Sequence, residues 1–269
     1  MNSTYCDTFD LTAPPFSKEI LDRDLWLPPS KEGLVRSLVD AMESRESVLL
    51  TGEPGVGKTC ILRALRQALP DHGFRLTYCS NATLGRRDFY RQICHALGLA
   101  PKATAAAVFY ALSTHVEELG RDQIHPVFLI DEAHLLHQDT LDHLHIVMNY
   151  QWDSRALLSL ILVGLPELDD RMRLRRNRSL YSRLARRLRI DPLSPSDTAD
   201  YIWTRLALVG SERQIFTEDA IGLLHEATGG TLRHLDRLAT AALRQAARYD
   251  KTRVERDLIA TVISHDHLA

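Results

Sequence analysis

The stretch VLLTGEPGVGKT, residues 48–59, decides the fold of this 269-residue chain. Residues 48–50 are apolar and predict the end of a buried strand, while residues 60–69 predict a helix. Between them, residues 52–59 fit the pattern G-x-x-x-x-G-K-[ST], whose glycines allow backbone N–H groups to turn inward onto phosphate oxygens. Because a strand, this loop and a helix follow one another, the stretch predicts a phosphate-binding site rather than an ordinary glycine-rich turn.

Two side chains of the loop have predicted roles of their own. We expect Lys58 to reach the β- and γ-phosphates of a nucleotide and the Thr59 hydroxyl to bind Mg²⁺. The whole predicted phosphate-binding stretch consists of Gly52, Glu53, Pro54, Gly55, Val56, Gly57, Lys58, Thr59 and Cys60.

A second motif follows further along the chain, where the apolar run 127–130 ends in two carboxylates, Asp131 and Glu132. An apolar run of this length suits a parallel strand that is buried on both faces. We expect Asp131 to hold Mg²⁺ through water and Glu132 to polarise the attacking water, since hydrolysis of a phosphoanhydride needs both. The two motifs together predict an ATP hydrolase with ATP and Mg²⁺ as its cofactors.

The composition is that of a soluble globular protein, with 45% apolar and 25% charged residues. No apolar run approaches the length of a membrane span, and the first ten residues lack the pattern of a signal peptide. The four cysteines show no C-x-x-C spacing. We therefore expect a cytoplasmic protein with no membrane partner.

The net charge of −2 conceals a block of nine arginines, with no acidic residue among them, between Arg171 and Arg189. A block of one charge indicates either a partner of opposite charge or a solvated helix face. Arginine rather than lysine favours contacts with phosphate groups.

Strands and helices are predicted to alternate through the first two thirds of the chain. Further strands are predicted at 74–79, 157–165 and in a short fifth strand that ends at Ile190, with helices at 87–97, 103–119 and 138–149. This alternation predicts a parallel α/β sheet that binds its ligand at the carboxyl ends of the strands.

After Pro192 the pattern predicts helices only, the first of them capped by Ser196 and running to Val209. The others are predicted at 217–228, 232–249 and 255–264. We expect an extended N-terminal segment (1–30), a nucleotide-binding domain (31–193) and a small all-helical lid domain (194–269).

Beyond these patterns, six segments resemble one group of AAA+ ATPases, namely the ExeA-type ATPases of general secretion and the related TnsC/TniB and IstB-like ATPases that accompany DDE transposases. The segments are TAPPF (12–16), LLTGEPGVGKT (49–59), FLIDEAHLL (128–136), ILVGLPEL (161–168), RIDPLS (189–194) and ATGGTLRHLDRL (227–238). The resemblance covers about residues 8 to 262. It implies the fold of a P-loop AAA+ domain, a parallel sheet between helices, followed by a helical lid.

The resemblance also implies roles for residues outside the two motifs. Asn81 matches the polar residue that restrains the catalytic glutamate, although an asparagine at a strand end also caps turns. Arg183 matches the arginine finger that completes a neighbouring subunit's site, with Arg187 as the alternative, and Arg233 matches the sensor-2 arginine of the lid. The sensor-1 position, usually polar, holds Leu165, which implies either that another residue does this work or that hydrolysis is slow.

Two functions are open within this group. The compact length resembles the transposition ATPases, which implies a homo-oligomer, a ring or a helical filament, that binds double-stranded DNA with ATP, recruits or activates a DDE transposase, and disassembles on hydrolysis. The positions implied to touch the DNA backbone are Thr83, Arg86, Arg87, Lys102 and Thr104. The alternative is an ExeA-type ATPase of general secretion, a group whose members usually continue into a membrane segment and a cell-wall-binding domain.

Other interpretations explain less of the sequence. The letters DEAH at 131–134 match a helicase box, but the chain has no room for a second RecA-like domain. A metal site remains an alternative for the histidines, although only two have helical spacing near the motif and no cysteine joins them: His134, His137, His143 and His145. An initiator or clamp-loader ATPase does not explain TAPPF, and a purely structural nucleotide-binding module does not need Glu132.

Overall fold

A computed structural model describes residues 4–70, 72–80, 82–100, 104–150, 155–211 and 213–266. The chain forms two compact units. The sheet unit contains Gly33–Glu53 and Leu65–Ile190. The helical unit contains the described parts of Met1–Glu32, Pro54–Ala64 and Asp191–Ala269.

The sheet unit is built on five parallel strands in the spatial order β2-β3-β4-β1-β5. They are β1 (Ser47–Gly52), β2 (Phe74–Cys79), β3 (His125–Ile130), β4 (Ser159–Gly164) and β5 (Leu184–Ile190). Every residue of β1, β3 and β4 is buried, which explains why these strands read as apolar runs. The predicted parallel α/β sheet is confirmed.

The fifth strand is longer than predicted because its sequence alternates. Its first and last residues, Leu184 and Ile190, are buried, and arginines occupy most positions between them. Since β5 is an edge strand that pairs only with β1, these arginines reach outward. Arg186 forms an ion pair of 2.6 Å with Glu46. Because these arginines interrupt the apolar pattern, the sequence predicts a short strand where the structure has one of seven residues.

Most helices flank and follow the strands at nearly the predicted positions, but the helices at 167–173 and 178–181 were not predicted, and a short helix at 4–8 lies in the segment predicted to be extended. In chain order they are α1 (Thr4–Thr8), α2 (Pro29–Glu43), α3 (Lys58–Ala68), α4 (Arg86–Ala96), α5 (Ala105–Arg121), α6 (Gln138–Val147), α7 (Glu167–Arg173), α8 (Arg178–Tyr181), α9 (Pro195–Ala207), α10 (Glu218–Thr228), α11 (Leu232–Arg248) and α12 (Arg256–Asp266). Among the helices in the described residues, none is long and apolar enough to cross a lipid bilayer.

The predicted cap of α9 is wrong by two residues. Ser194, not Ser196, caps this helix, because the Ser194 hydroxyl accepts the backbone N–H of Asp197 at 3.1 Å. The Asp197 carboxylate accepts the Ser194 N–H at 3.3 Å in return, which completes a capping box. Pro195 then occupies the first helical position, where its missing N–H costs nothing.

The N-terminal segment contributes aromatic side chains to the core of the helical unit. Tyr5, Phe9 and Phe16 are buried together with side chains from α9–α12. The Arg205 guanidinium of α9 donates to two backbone carbonyls of the segment, Pro15 at 2.6 Å and Ser17 at 2.5 Å. The TAPPF motif is thus part of the packing of this unit.

Candidate active site

The phosphate loop has the backbone that phosphate binding requires. Gly55 and Gly57 have φ values of 82° and 99°, which favour glycine strongly. A Cβ on Gly55 would lie 2.8 Å from the Cβ of Arg233, and one on Gly57 would lie 2.8 Å from Leu232 Cδ1. Helix α3 begins at Lys58, so the N–H groups of its first turn face the loop, and Lys58 itself is buried. The loop therefore fits a nucleotide phosphate.

Arg233, the predicted sensor-2 residue, lies beside this loop within the helical unit. Its backbone N–H donates to the carbonyl of Gly55 at 3.2 Å. It is the second residue of α11, and its side chain is exposed. The lid helix that bears Arg233 thus contacts the phosphate loop directly.

In the sheet unit, the carboxylate of Asp131 is positioned by two donors at the end of β3. Its Oδ2 accepts the hydroxyl of Tyr78 at 2.8 Å, and its Oδ1 accepts the backbone N–H of Glu132 at 2.9 Å. The Asp131 N–H donates to the Cys79 carbonyl at 3.0 Å, which ties it to β2. Partial burial and the bond to Asp131 raise the pKa of Tyr78 above its ordinary value. No sequence pattern indicates a role for Tyr78 beyond its place near the end of β2.

Glu132 has a strained backbone and a half-exposed side chain. Its φ of 52° lies in the left-handed region, which is unusual for a residue other than glycine and is often found at functional sites. Its Oε2 lies 3.4 Å from His134 Nδ1, a charge pair only when the imidazole is protonated. A Cβ on Gly164, the last residue of β4, would lie 3.3 Å from the same nitrogen. Gly164 therefore leaves room for the His134 ring beside Glu132.

An arginine from the basic block holds the segment that follows Glu132, and we name this contact the Arg171 clamp. The Arg171 guanidinium donates to the carbonyls of His134 at 2.8 Å and Leu136 at 2.7 Å. Asn177 Nδ2 donates to the Arg171 carbonyl at 2.8 Å, and Gln138 Nε2 donates to Asn177 Oδ1 at 2.5 Å. Burial lowers the pKa of Arg171, and Arg176 adds to this effect. The clamp was not foreseen from the sequence.

Much of the remaining arginine block is paired inside the sheet unit. Three of these arginines form ion pairs with carboxylates elsewhere in the unit: Arg173 with Asp169, Arg176 with Asp142 and Arg186 with Glu46, each at 2.6 Å. These arginines neutralise carboxylates of their own unit. The many arginines of the block therefore do not by themselves require an oppositely charged partner.

The two candidate fingers differ in their surroundings. The Arg183 guanidinium donates to the carbonyl of Ser179 at 3.1 Å and is partly exposed. The Arg187 guanidinium lies 4.0 Å from the centroid of the Tyr181 ring, at stacking distance. Of the two, Arg187 is held by an aromatic ring of its own chain.

Of the predicted DNA contacts that the structure describes, three lie at the starts of helices in the sheet unit, namely Arg86, Arg87 and Thr104, and Thr83 lies in the turn before α4. Arg86 and Arg87 begin α4, and Arg87 lies 3.9 Å from Asp88 with its side chain 56% exposed. Thr83 is exposed, whereas the Thr104 hydroxyl accepts the Ala107 N–H at 3.2 Å as the N-cap of α5. Two further predicted site residues lie outside the described residues: Asn81 and Lys102.

The histidines of the second motif have partners other than a metal ion. His137 Nε2 donates to the carbonyl of Thr83 at 2.9 Å. Within the described part of the chain, no three side chains of the types His, Cys, Asp and Glu form a group that could hold a metal ion. Leu165, at the sensor-1 position, is partly buried after β4. The structure therefore puts no polar side chain at this position itself.

Comparison with known proteins places these features in a family context. Residues 41–172 match the family model described as an AAA domain. General secretion pathway protein A of Aeromonas hydrophila is 32% identical over 242 residues, which cover 89% of this chain and 44% of that protein. The chain thus spans less than half the length of this curated relative.

Several solved structures share the fold at low sequence identity. Cdc6p from Pyrobaculum aerophilum has a TM-score of 0.67 at 19% identity and covers 89% of this chain and 67% of its own. The Aeropyrum pernix ORC1 protein, solved in complex with DNA, has a TM-score of 0.66 at 19% identity, over 94% of this chain and 68% of its own. The Thermotoga maritima RuvB branch migration motor has a TM-score of 0.58 at 16% identity, over 93% of this chain and 73% of its own. At such identities the likeness concerns the fold alone.

The predicted P-loop AAA+ fold, a parallel sheet flanked by helices and followed by a helical region, is confirmed by these structures and by the matching family model. Residues 41–172 of the chain thus contain an AAA domain, and this domain together with the phosphate loop supports ATP hydrolase activity.

Proposed function

We propose that this protein is an AAA+ ATPase that acts as a nucleotide-driven switch of the same type as general secretion pathway protein A. The observation that carries the proposal is the 32% identity to that protein over 89% of this chain. The TAPPF segment supports it too, because Arg205 fastens this segment into the core of the helical unit. The regulator of DNA transposition that the sequence favoured has less support from the comparisons.

The proposed chemistry assigns one task to each motif. Lys58 and the loop N–H groups bind phosphate oxygens, and Thr59 and Asp131 hold Mg²⁺, which neutralises charge on the phosphates. Glu132 orients the attacking water. Tyr78 and the Glu132 N–H fix the Asp131 carboxylate, and the Arg171 clamp fixes the segment behind Glu132.

Hydrolysis is proposed to need a second subunit. Arg183 stabilises the transition-state charge in the site of a neighbouring subunit, while Arg233 senses nucleotide within its own. ATP then stabilises a homo-oligomer and hydrolysis releases it. The stacking of Arg187 on Tyr181 favours Arg183 as the finger.

A second candidate function is an ATP-dependent regulator of transposition that binds duplex DNA and a DDE transposase. The exposed guanidinium of Arg87 at the start of α4, with Arg86 and Thr83 nearby in sequence, favours it. Contacts of this kind are salt-sensitive and independent of sequence. The pairing of Arg173, Arg176 and Arg186 inside the sheet unit counts against it, because these charges are already partly neutralised.

Sedimentation velocity separates the two functions. The purified protein is measured with ATP and Mg²⁺, with ADP, or without nucleotide, each with and without non-specific duplex DNA at two salt concentrations. We expect assembly that requires ATP but not DNA. Assembly that requires both and weakens with salt would favour the transposition regulator. The Lys58→Ala variant should not assemble with ATP, and ATP-dependent assembly of this variant would contradict the role of the phosphate loop.

A further inference from the structure

We propose that the sheet unit contains a second ligand site, a cavity for a phosphate-bearing anion at the edge of the sheet where its strands begin. The cavity has a volume of about 670 Å³ and is lined by Arg45, Glu117, Arg121, Gln123 and Arg155, with Leu157 and Gly120 beside them. Arg45 precedes β1, Gln123 precedes β3 and Arg155 precedes β4. In parallel strands the amino ends share one edge, so the cavity lies at the edge opposite Asp131 and Glu132.

The charges of the lining favour an anion. The lining contains three arginines and one glutamate, and Glu117 lies 3.9 Å from Arg121, which leaves the charges of Arg45 and Arg155 in excess. Guanidinium groups bind phosphate oxygens in pairs of parallel hydrogen bonds. The volume lies within the range of small-molecule sites. A ligand with at least two negative charges would therefore match the cavity in size and charge.

Two helices end at this cavity with an unusual residue in a turn that normally takes glycine. At the end of α2, Glu46 N–H donates to the Ala41 carbonyl at 2.8 Å, and Arg45 between them has φ 55°. At the end of α5, Ile124 N–H donates to the Leu119 carbonyl at 2.9 Å, and Gln123 has φ 60°. This left-handed position favours glycine, and a long side chain there strains the backbone.

Elsewhere the same turn uses residues that tolerate it. Glycine occupies it after α4 and α9, at Gly98 with φ 76° and Gly210 with φ 87°. Asp250, with φ 51°, occupies it after α11, and short polar residues adopt this conformation with little strain. Among these turns, long side chains with functional ends are found at the two that line the cavity. Strain retained at a cavity points to a function of the side chain.

The field of Arg45 also reaches into the protein. His125, the first residue of β3, is buried and bonds Ser159 Oγ through Nε2 at 2.8 Å. Burial lowers the pKa of His125 to about 4, and the charge of Arg45 contributes to the shift. His125 is therefore neutral at pH 7 and adds no positive charge near the cavity. The attraction of the cavity for an anion is then attributed to the arginines that line it.

The test uses inorganic pyrophosphate as the probe, with the nucleotide site saturated by ADP, and measures binding by calorimetry. We expect saturable binding that weakens tenfold or more in Arg45→Gly and in Arg155→Gln. Arg45→Gly should at the same time raise the melting temperature by about 2 °C, because glycine relieves the strained turn. Loss of pyrophosphate binding in a variant that is more stable than the native protein cannot be explained by misfolding.

Two controls match the test variants. Asp250→Gly relieves a turn of the same kind far along the chain and should keep pyrophosphate binding, and Arg175→Gln removes an exposed arginine of the same unit and should keep it as well. Absence of saturable binding of both pyrophosphate and phosphatidic acid vesicles to the native protein would overturn the proposal, as would equal losses in the control variants. Vesicles with and without phosphatidic acid distinguish the source: binding to them that Arg45→Gly abolishes, with no binding of free pyrophosphate, identifies a lipid headgroup.

Discussion

At the scale of the residue, the Arg171 clamp gives a prediction that separates positioning from binding. Lysine keeps the charge but cannot donate to the carbonyls of His134 and Leu136 with the same planar fork. We expect Arg171→Lys to let the segment behind Glu132 shift, so that kcat for ATP hydrolysis falls about tenfold or more while the KM for ATP stays within about twofold. Steady-state kinetics check both parameters.

The control for this variant is Arg175→Lys, which changes an exposed arginine of the same block. It should leave both kinetic parameters unchanged. An equal loss of kcat in the two variants would mean that the block acts through its overall charge, and an unchanged kcat in Arg171→Lys would remove the clamp from the mechanism.

Asp236 gives a prediction about pH. Burial raises the pKa of this carboxyl from 3.8 to about 6, although the Tyr201 hydroxyl donates to its Oδ1 at 2.5 Å. A raised pKa in the folded state means that Asp236 contributes stability below about pH 4, and that this contribution is lost as the pH rises through about 6. Asp236→Asn should therefore raise the free energy of unfolding at pH 7.5 by about 3 kcal/mol and have no such effect near pH 4.

Urea denaturation at the two pH values measures this difference. Asp200→Asn changes an exposed carboxylate in the same unit and should show no comparable gain. If Asp236→Asn gave the same change of stability at both pH values, the cost of ionising the buried carboxyl could not be its cause.

Sequence patterns predict the residues proposed to contact nucleotide, but they do not identify the residues that position them. Lys58, Thr59, Asp131 and Glu132 stand in motifs whose spacing reflects a local chain geometry. Tyr78 and Arg171 reach the second motif from β2 and α7, and only the folded sheet unit reveals such contacts. A tyrosine at a strand end and one arginine among nine carry no local signal that distinguishes them.

At the scale of the element, the turn between α10 and α11 is fixed by backbone contacts. Leu193 N–H donates to the Gly230 carbonyl at 2.9 Å, Gly230 has φ 73°, and a Cβ there would clash with the Leu193 backbone. Because neither backbone can yield easily, Gly230→Ala should lower the free energy of unfolding by about 3 kcal/mol or more. Thermal or urea denaturation measures the loss.

Gly222 provides the matched control within α10. It is exposed, and a Cβ there would meet nothing within 4 Å. Since alanine favours the helical backbone, Gly222→Ala should raise the free energy of unfolding by about 1 kcal/mol. A gain in Gly230→Ala, or a similar loss in both variants, would contradict the account of this turn.

The bounds of the first four strands lie within about two residues of the predicted ones. The strand β2 was predicted without error, and β1, β3 and β4 were recognised from apolar runs that burial on both faces demands. The length of the edge strand β5 was underestimated. This strand has a neighbouring strand on one side, and its arginines face outward, so its sequence does not form an apolar run. The cap of α9 was misjudged between Ser194 and Ser196, which only the hydrogen bond to Asp197 separates.

At the scale of the whole molecule, the proposed switch depends on residues that act in different subunits. We propose that Glu132 serves the site of its own subunit and that Arg183 serves that of a neighbour. This division cannot be tested on single variants, because each of them abolishes turnover for either arrangement. It can be tested on mixtures, in which one subunit supplies what the other lacks.

Equal amounts of Glu132→Gln and Arg183→Ala protein should each be inactive alone and regain ATP hydrolysis when mixed. In the mixed oligomer, some sites combine an intact Glu132 from one subunit with an intact Arg183 from its neighbour. If Arg183 acted within its own subunit, every site would still lack one group and the mixture would stay inactive.

The same mixture with Arg187→Ala in place of Arg183→Ala tests the alternative finger. Since Arg187 stacks on Tyr181, we expect Arg187→Ala to retain hydrolysis on its own. Phosphate release, followed while the ratio of the two variants is varied, decides between the arrangements.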